Sequence, residues 1–178
     1  YRVENLDMTN AEIRQIRYYD GYSFLSLDTF AESSSYEAAS GYGERFGSDS
    51  DPMCSKGLLT GSVDRYVETD GLRWVAYYYD EFKRCIQTRS GTSSGQRSDI
   101  FRRYSFNGEL LESLEVNRPS EASLPDTLHK EYEYDLYGRL IEETSALNGV
   151  GVSSDYSYDM AGRQNVTTTS IEGGGSLT

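Results

Sequence analysis

The sequence contains one motif written twice. Tyr132-Glu133-Tyr134-Asp135-Leu136-Tyr137-Gly138-Arg139-Leu140 returns 24 residues later, counting from Tyr132 to Tyr156, as Tyr156-Ser157-Tyr158-Asp159-Met160-Ala161-Gly162-Arg163. A recurring period marks a repeat architecture, in which each unit buries its apolar face only by stacking on its neighbours.

The motif has a mechanical reading as a β-hairpin. Tyrosines two apart point to one face of a strand. Asp135 then opens a turn. Gly138 closes it at positive φ, as a type I turn followed by a bulge requires. Residues 139–144 form the return strand. Asp159 and Gly162 repeat the turn, and residues 163–169 repeat the strand.

Weaker copies lie upstream. Tyr77-Tyr78-Tyr79-Asp80 keeps the strand and the aspartate, but Lys83 stands where the glycine belongs. Lysine at positive φ is uncommon, so a different turn is expected there. Tyr104-Ser105-Phe106-Asn107-Gly108 reads as a copy two residues shorter, closed by an Asn-Gly two-residue turn. Tyr19-Asp20 and Leu25 are a fainter match. Thr69-Asp70-Gly71 marks a further hairpin between residues 64–69 and 72–79. Aligned on Tyr77, Tyr104, Tyr132 and Tyr156, the copies are spaced 27, 28 and 24 apart, as expected for hairpins joined by variable connections.

The expected fold is therefore all-β: consecutive antiparallel hairpins forming a curved, extended sheet. Residues 1–27 read as an N-terminal strand or hairpin unit. Within it, Thr9-Asn10-Ala11-Glu12 fits a capping box for a short helical turn, and Ile13 to Tyr19 fits a strand. Residues 28–56 have loop composition and read as a long irregular connection, a kind of segment that is usually functional or mobile. Residues 57–170 are the hairpins, continuous with the N-terminal unit. Residues 171–178, with Gly173-Gly174-Gly175, read as a flexible tail.

Composition suits this reading. The chain has 178 residues and 16 tyrosines, and tyrosine has the apolar body and wet tip that half-buried sheet faces accept. Its net charge of −12 opposes binding to nucleic acid or an anionic membrane. No run approaches the ~20 apolar residues of a spanning helix. Charges on both faces of the strands, as in Lys130-Glu131-Tyr132-Glu133, also oppose a membrane barrel. The start at Tyr1, without a methionine or leader, suggests a piece of something longer. Cys54 and Cys85 have two readings: a pair in an exported protein, or packed small hydrophobes, since Cys85 takes the place of Leu140 in a later copy.

No catalytic constellation emerges. His129 is the only histidine and reads as a surface residue. Asp49 and Asp51 lack the remainder of a calcium loop. The pairs Glu142/Glu143 and Glu131/Glu133 read as solvated strand faces. No cofactor is expected, and no catalytic or metal-binding residue is assigned. The informative residues are architectural: Tyr77, Tyr79, Asp80, Tyr104, Asn107, Gly108, Tyr132, Tyr134, Asp135, Gly138, Arg139, Tyr156, Tyr158, Asp159, Gly162 and Arg163. Trp74 lies off the repeat register and, if exposed, is the candidate for a sugar contact.

The pattern Tyr-x-Tyr-Asp-x-x-Gly-Arg-Leu resembles the core motif of the Rhs/YD-repeat family. Tyr132 to Leu140 satisfies it fully, and Tyr156 to Arg163 lacks only the last leucine. Tyr18-Tyr19-Asp20-Gly21-Tyr22-Ser23-Phe24-Leu25, Lys56-Gly57-Leu58-Leu59-Thr60-Gly61-Ser62 and Tyr78-Tyr79-Asp80 with Ile86-Gln87-Thr88 are similar, in the same order, to segments of large Rhs-repeat proteins of Bacteroides-type bacteria. The resemblance spans roughly residues 13–170. It implies a hairpin sheet spiralling into a hollow β-shell, as in toxin-complex subunits and teneurins, where shells of polymorphic toxins encapsulate a toxic domain. It implies a non-catalytic structural segment, secreted or at the cell surface. Its partners would be the remainder of a longer polypeptide and, in a second reading, glycans or a surface protein. A glycoside hydrolase is a distant third. No match to the self-cleaving shell terminus is present. Open strand edges make dimerisation of such a piece an expectation.

Overall fold

The computed structural model describes residues 14–27, 34–48, 54–66, 71–120, 122–171 and 176–177. Eleven strands form one sheet in strictly sequential order: β1 (Gln15–Tyr19), β2 (Leu59–Arg65), β3 (Leu72–Tyr79), β4 (Cys85–Thr92), β5 (Arg97–Tyr104), β6 (Leu110–Arg118), β7 (Asp126–Tyr134), β8 (Leu140–Leu147), β9 (Val150–Tyr158), β10 (Gln164–Ile171) and β11 (Ser176–Leu177). Every neighbouring pair is antiparallel. The all-β hairpin sheet is thus as expected. The capping box at Thr9 and Ile13 at the start of the expected first strand lie outside the described residues.

Sequential antiparallel order places all odd-to-even turns along one edge of the sheet, and the even-to-odd turns along the other. The Tyr-Asp motifs occupy the first edge. The opposite edge uses other chemistry. Thr92 to Gln96 turns through Gly95 at φ 86°. Asn148-Gly149, with φ of 50° and 87°, is the two-residue Asn-Gly turn of the chain, between β8 and β9.

A buried core exists over only part of the sheet. Tyr22, Phe24, Cys54, Val63, Trp74, Ala76 and Tyr78 form it. Tyr22 and Phe24 flank or enter a single 3-10 turn, Ser23–Ser26, that drops aromatic rings onto β2 and β3. The Tyr22 and Tyr78 rings stack at 5.0 Å. Tyr18 stacks on Phe24 at 4.5 Å. Trp74 is only 5% exposed and lies opposite Val63 on one side and Gly91 on the other. A Cβ at Gly91 would sit 2.5 Å from the indole, so the absent side chain is what admits the ring.

Residues 34–48, part of the long connection, lie on this same face across β3 to β6. The Tyr78 hydroxyl donates to the Ser34 carbonyl at 2.6 Å. The Gln87 amide grips one residue twice, accepting from the Glu37 N–H at 3.2 Å and donating to its carbonyl at 3.1 Å. Arg89 bonds the Ser35 carbonyl at 2.6 Å while paired with Asp99 at 2.8 Å. Gly43 N–H reaches the Arg102 carbonyl, and Phe46 N–H the Tyr79 carbonyl. Arg45 lays its guanidinium over the Tyr22 ring at 4.4 Å and the Tyr78 ring at 5.0 Å. The connection is irregular in backbone, as expected, but its described part is a bound cover. Beyond Phe101 no described residue is buried. Strands β6 to β10 are half-exposed on both faces. Cys54 is buried, Cys85 is half-buried, and both are free thiols. Of the expected flexible tail, Ser176 and Leu177 pair with Ser170 and Thr169, and the remainder past Ile171 lies outside the described residues.

Candidate functional site

The recurring motif residues converge on one edge and form a ladder of three linked contacts. The first is the turn. At Asp135, the backbone N–H bonds the Arg139 carbonyl at 2.9 Å, and the Gly138 N–H returns to the Asp135 carbonyl at 3.0 Å. The Asp135 carboxylate accepts the N–H groups of Tyr137 (2.8 Å) and Arg139 (3.0 Å), and its other oxygen takes Arg139 Nε at 2.6 Å. Asp159 holds Ala161 and Arg163 in the same way, and Asp80 holds Phe82 and Arg84. One carboxylate thus satisfies the donors of a turn that has no strand partner. The Arg139 N–H, then the Arg139 guanidinium, hold Asp135 below the usual aspartate range. The Arg163 N–H and guanidinium do the same for Asp159.

Two expectations are corrected here. Lys83 does not impose a different turn. It adopts φ 62°, and its N–H bonds the Asp80 carbonyl at 3.0 Å, as Gly138 does. Three hydrogen bonds to the Asp80 carboxylate over-determine the turn and hold lysine in a strained region. Asn107-Gly108 is not a shortened turn. Ser105 N–H bonds the Glu109 carbonyl at 2.8 Å, and Gly108 N–H bonds the Ser105 carbonyl at 3.1 Å, so the turn has full length. Its polarity is inverted: Ser105 Oγ accepts the Glu109 N–H at 3.0 Å and donates to the Glu109 carboxylate at 2.9 Å. Serine and glutamate replace aspartate and arginine together, which is why the motif is hard to see. Tyr104 accordingly aligns with Tyr134, not with Tyr132.

The second contact joins hairpins. In each copy, the tyrosine immediately before the turn donates its hydroxyl to the carbonyl of the first residue of the preceding strand. Tyr79 bonds Leu59 (2.6 Å), Tyr104 bonds Cys85 (3.1 Å), Tyr134 bonds Leu110 (3.0 Å) and Tyr158 bonds Leu140 (2.7 Å). A register shift accompanies the tyrosine at Tyr78/Tyr79, Arg103/Tyr104 and Glu133/Tyr134. The extra residue of each bulge lies on the return strand, at Ile86, Leu111 and Ile141. Burial pushes the phenols of Tyr79, Tyr104 and Tyr134 up. Tyr77, Tyr132 and Tyr156, two positions earlier, share the face but make no such bond.

The third contact runs the other way. Arg84 stacks over Tyr104 of the next copy at 5.2 Å, and Arg139 over Tyr158 at 4.6 Å. Arg84 also donates to the Ser105 carbonyl at 2.6 Å.

The same rule completes the fainter copy at Tyr19-Asp20 and gives it a return strand other than the one at Leu25. The β1–β2 pair shifts register between Tyr18 and Tyr19, with Tyr19 opposite Leu59. Asp20 N–H bonds the Leu58 carbonyl at 3.2 Å, and the Asp20 carboxylate accepts the Gly57 N–H at 2.6 Å. Tyr19-Asp20 therefore opens the first Tyr-Asp hairpin, and residues 21–57 are an insertion into its turn. Strands β1 and β2 are thus the two arms of one hairpin, and the described residues 21–27, 34–48 and 54–57 belong to the loop inserted between them.

Off the ladder, Trp74 is a core residue and does not meet the exposure a sugar contact needs. His129 lies within β7, and its Nε2 meets Glu112 Oε1 at 2.6 Å. With Glu131, these ligand atoms lie within 4.8 Å of one another. Glu112 is already engaged by Tyr42 at 3.1 Å and by Arg103 at 2.8 Å, and that guanidinium opposes a cation. Beside it lies a groove of about 470 Å³, lined by Ala146, Gly151 and Ser153 and bordered by His129, Glu131 and Thr144. Arg89 and Asp99, which with Gln87 hold the cover, carry no motif signal. Their only trace is opposite charge at facing positions of β4 and β5. No helix among the described residues is long and apolar enough to cross a membrane. No family model matches the chain, and no curated protein matches it.

Proposed function

We propose that this chain is a non-catalytic structural segment of an exported Rhs/YD-repeat protein, forming part of a β-sheet shell or cell-surface scaffold. The observation that carries this reading is the tyrosine-to-carbonyl bond repeated at four successive hairpins. Each hairpin completes its neighbour, so the unit of function is the wall and not a pocket. The aspartates, arginines and tyrosines that resemble catalytic groups are consumed by the turns and the ladder. Labelling intact cells of the natural producer with an antibody to this segment tests export. Surface signal is expected without permeabilisation, and signal only after permeabilisation would overturn the reading.

A second reading, a binding module for glycans or a partner protein, draws on the groove beside His129. It stands second because the groove has hydroxyls and a carboxylate but no aromatic platform of the kind sugars stack on. A glycan array without signal above background would remove its carbohydrate form.

A further inference from the structure

A second groove lies away from the ladder and the cover, from the end of β2 across to β6, on the opposite side of the sheet. Directly paired residues of neighbouring strands share a face. Arg73 pairs with Thr92, and Ser90, Ser98 and Asn117 pair in turn across β4, β5 and β6. Trp74 marks the covered face, so Arg73 and these four residues lie on the other. Tyr66, one residue past β2, joins them by the same alternation, its N–H tied to the Gly71 carbonyl at 2.8 Å. The six line a groove of about 320 Å³, at the small end of the ~300–1,000 Å³ usual for ligand pockets. Arg97 and Arg118 also border it, from strand positions that alternate to the covered face. No carboxylate lines this groove, in a chain with 29 acidic residues. Arg73 is exposed and makes no ion pair or side-chain hydrogen bond among the described residues. Asp64, which faces it across the strands, is bonded instead by the Gln15 amide. The Tyr66 ring is 44% exposed, and its hydroxyl, like that of Ser98, has no partner among the described residues. The Asn117 amide donates to Glu115 at 2.8 Å, which leaves its carbonyl oxygen to accept.

These groups select a ligand class. A guanidinium without an ion pair takes a carboxylate through two parallel N–H bonds. Serine hydroxyls and an amide carbonyl match the hydroxyls of a sugar ring. An exposed phenol ring offers a flat apolar surface for the ring's own apolar face. No Val, Leu, Ile or Phe lines the groove, so an apolar peptide side chain finds nothing there to bury against. We propose that this groove binds a uronate-containing saccharide. Arg73 takes the carboxylate, Tyr66 packs against the pyranose face, and Ser90, Ser98 and Asn117 bond the ring hydroxyls. The site has the aromatic platform that the groove beside His129 lacks. The inference goes beyond the structural reading, and rests neither on it nor on that other groove.

Isothermal titration calorimetry of the whole chain at low ionic strength tests it. Digalacturonate and cellobiuronate are the acidic probes, with digalactose and cellobiose as their neutral counterparts. At least one acidic probe is expected to bind saturably, about tenfold or more tightly than its counterpart. Arg73→Gln removes that preference. Arg73→Lys keeps the charge but not the two-pronged geometry, and gives an intermediate affinity. Tyr66→Ala weakens binding of the acidic probe about twofold to tenfold. Both positions are exposed, so circular dichroism of the variants is expected to match the parent protein. No saturable binding of either acidic probe would overturn the proposal, and so would equal binding of the neutral counterpart. Acid binding indifferent to Arg73→Gln and Tyr66→Ala would place the sugar elsewhere and overturn it too. Each of these failures leaves the intact-cell test of export standing.

Discussion

Strands β2 to β5 and strands β6 to β10 use the same hairpin and the same tyrosine bond, yet are held in different ways. The first group lies beneath the insertion of the first turn. Its stability comes from aromatic burial around Trp74 and Tyr78, and from the Gln87 and Arg89 grips on residues 35–37. In the second group the described cover reaches only β6, where Tyr42 meets Glu112, and no described residue is buried. There the turn and the ladder must carry the structure, through hydrogen bonds of about 1 kcal/mol each and cation–π contacts of about 0.5–1 kcal/mol at exposed sites. The difference teaches that the ladder sets register and order in both halves, whereas a closed core needs the insertion.

The largest effect is expected in the covered half. Trp74→Ala removes a ring packed between Val63 and Gly91, and is expected to cost about 3–5 kcal/mol. Urea unfolding checks this, and a midpoint near that of the parent protein would break the distinction between the halves.

The next effect separates two versions of one turn. Gly138→Val places a β-branched residue at φ 75°, at an expected cost of about 1–2 kcal/mol. Lys83→Gly relieves the same strain in the covered half, and is expected to raise stability by a few tenths to about 1 kcal/mol. Melting temperatures that fail to move in opposite directions would refute the shared turn geometry.

Acid and alkali sharpen the comparison without mutation. Asp135 and Asp159 lie below the ordinary range when folded. Their stabilisation is complete above the unfolded aspartate value of about 3.9, and is lost as pH falls through the lower folded values. Tyr79, Tyr104 and Tyr134 are raised. Their contribution is complete below about pH 10, and is lost as pH rises through the higher folded values. Hydrogen exchange across both limits is expected to loosen β7 to β10 before β2 to β5. Simultaneous loosening would show that the cover adds nothing.

The smallest effect tests the inverted turn. Glu109→Arg alone sets a cation beside Ser105 and is expected to destabilise. Adding Ser105→Asp rebuilds the Asp135-type turn, with a favourable coupling of about 0.5–1 kcal/mol in a double-mutant cycle. Strict additivity would deny that the two positions act as one unit.

The repeat, the hairpins and the all-β class were legible because local chemistry dictates them: alternating tyrosines, an aspartate that caps its own turn, and glycine at positive φ. Lys83 and Asn107-Gly108 were misread for one reason. The turn is held by hydrogen bonds to the side chain at its first position, and that information sits two or three residues before the anomaly. The copy at Tyr19-Asp20 was legible only faintly, and with the wrong return strand at Leu25, because its true return strand is separated from it by the insertion at residues 21–57. Only the tertiary structure brings Leu59 opposite Tyr19. It also decided that Trp74 is core, that residues 34–48 bind the sheet as a cover, and that the tyrosine hydroxyls bond the neighbouring hairpin. Sequence by itself determined the unit, because a hairpin is a local object. How the units join and which of them is covered depend on contacts between residues far apart in the chain, and no local pattern encodes those.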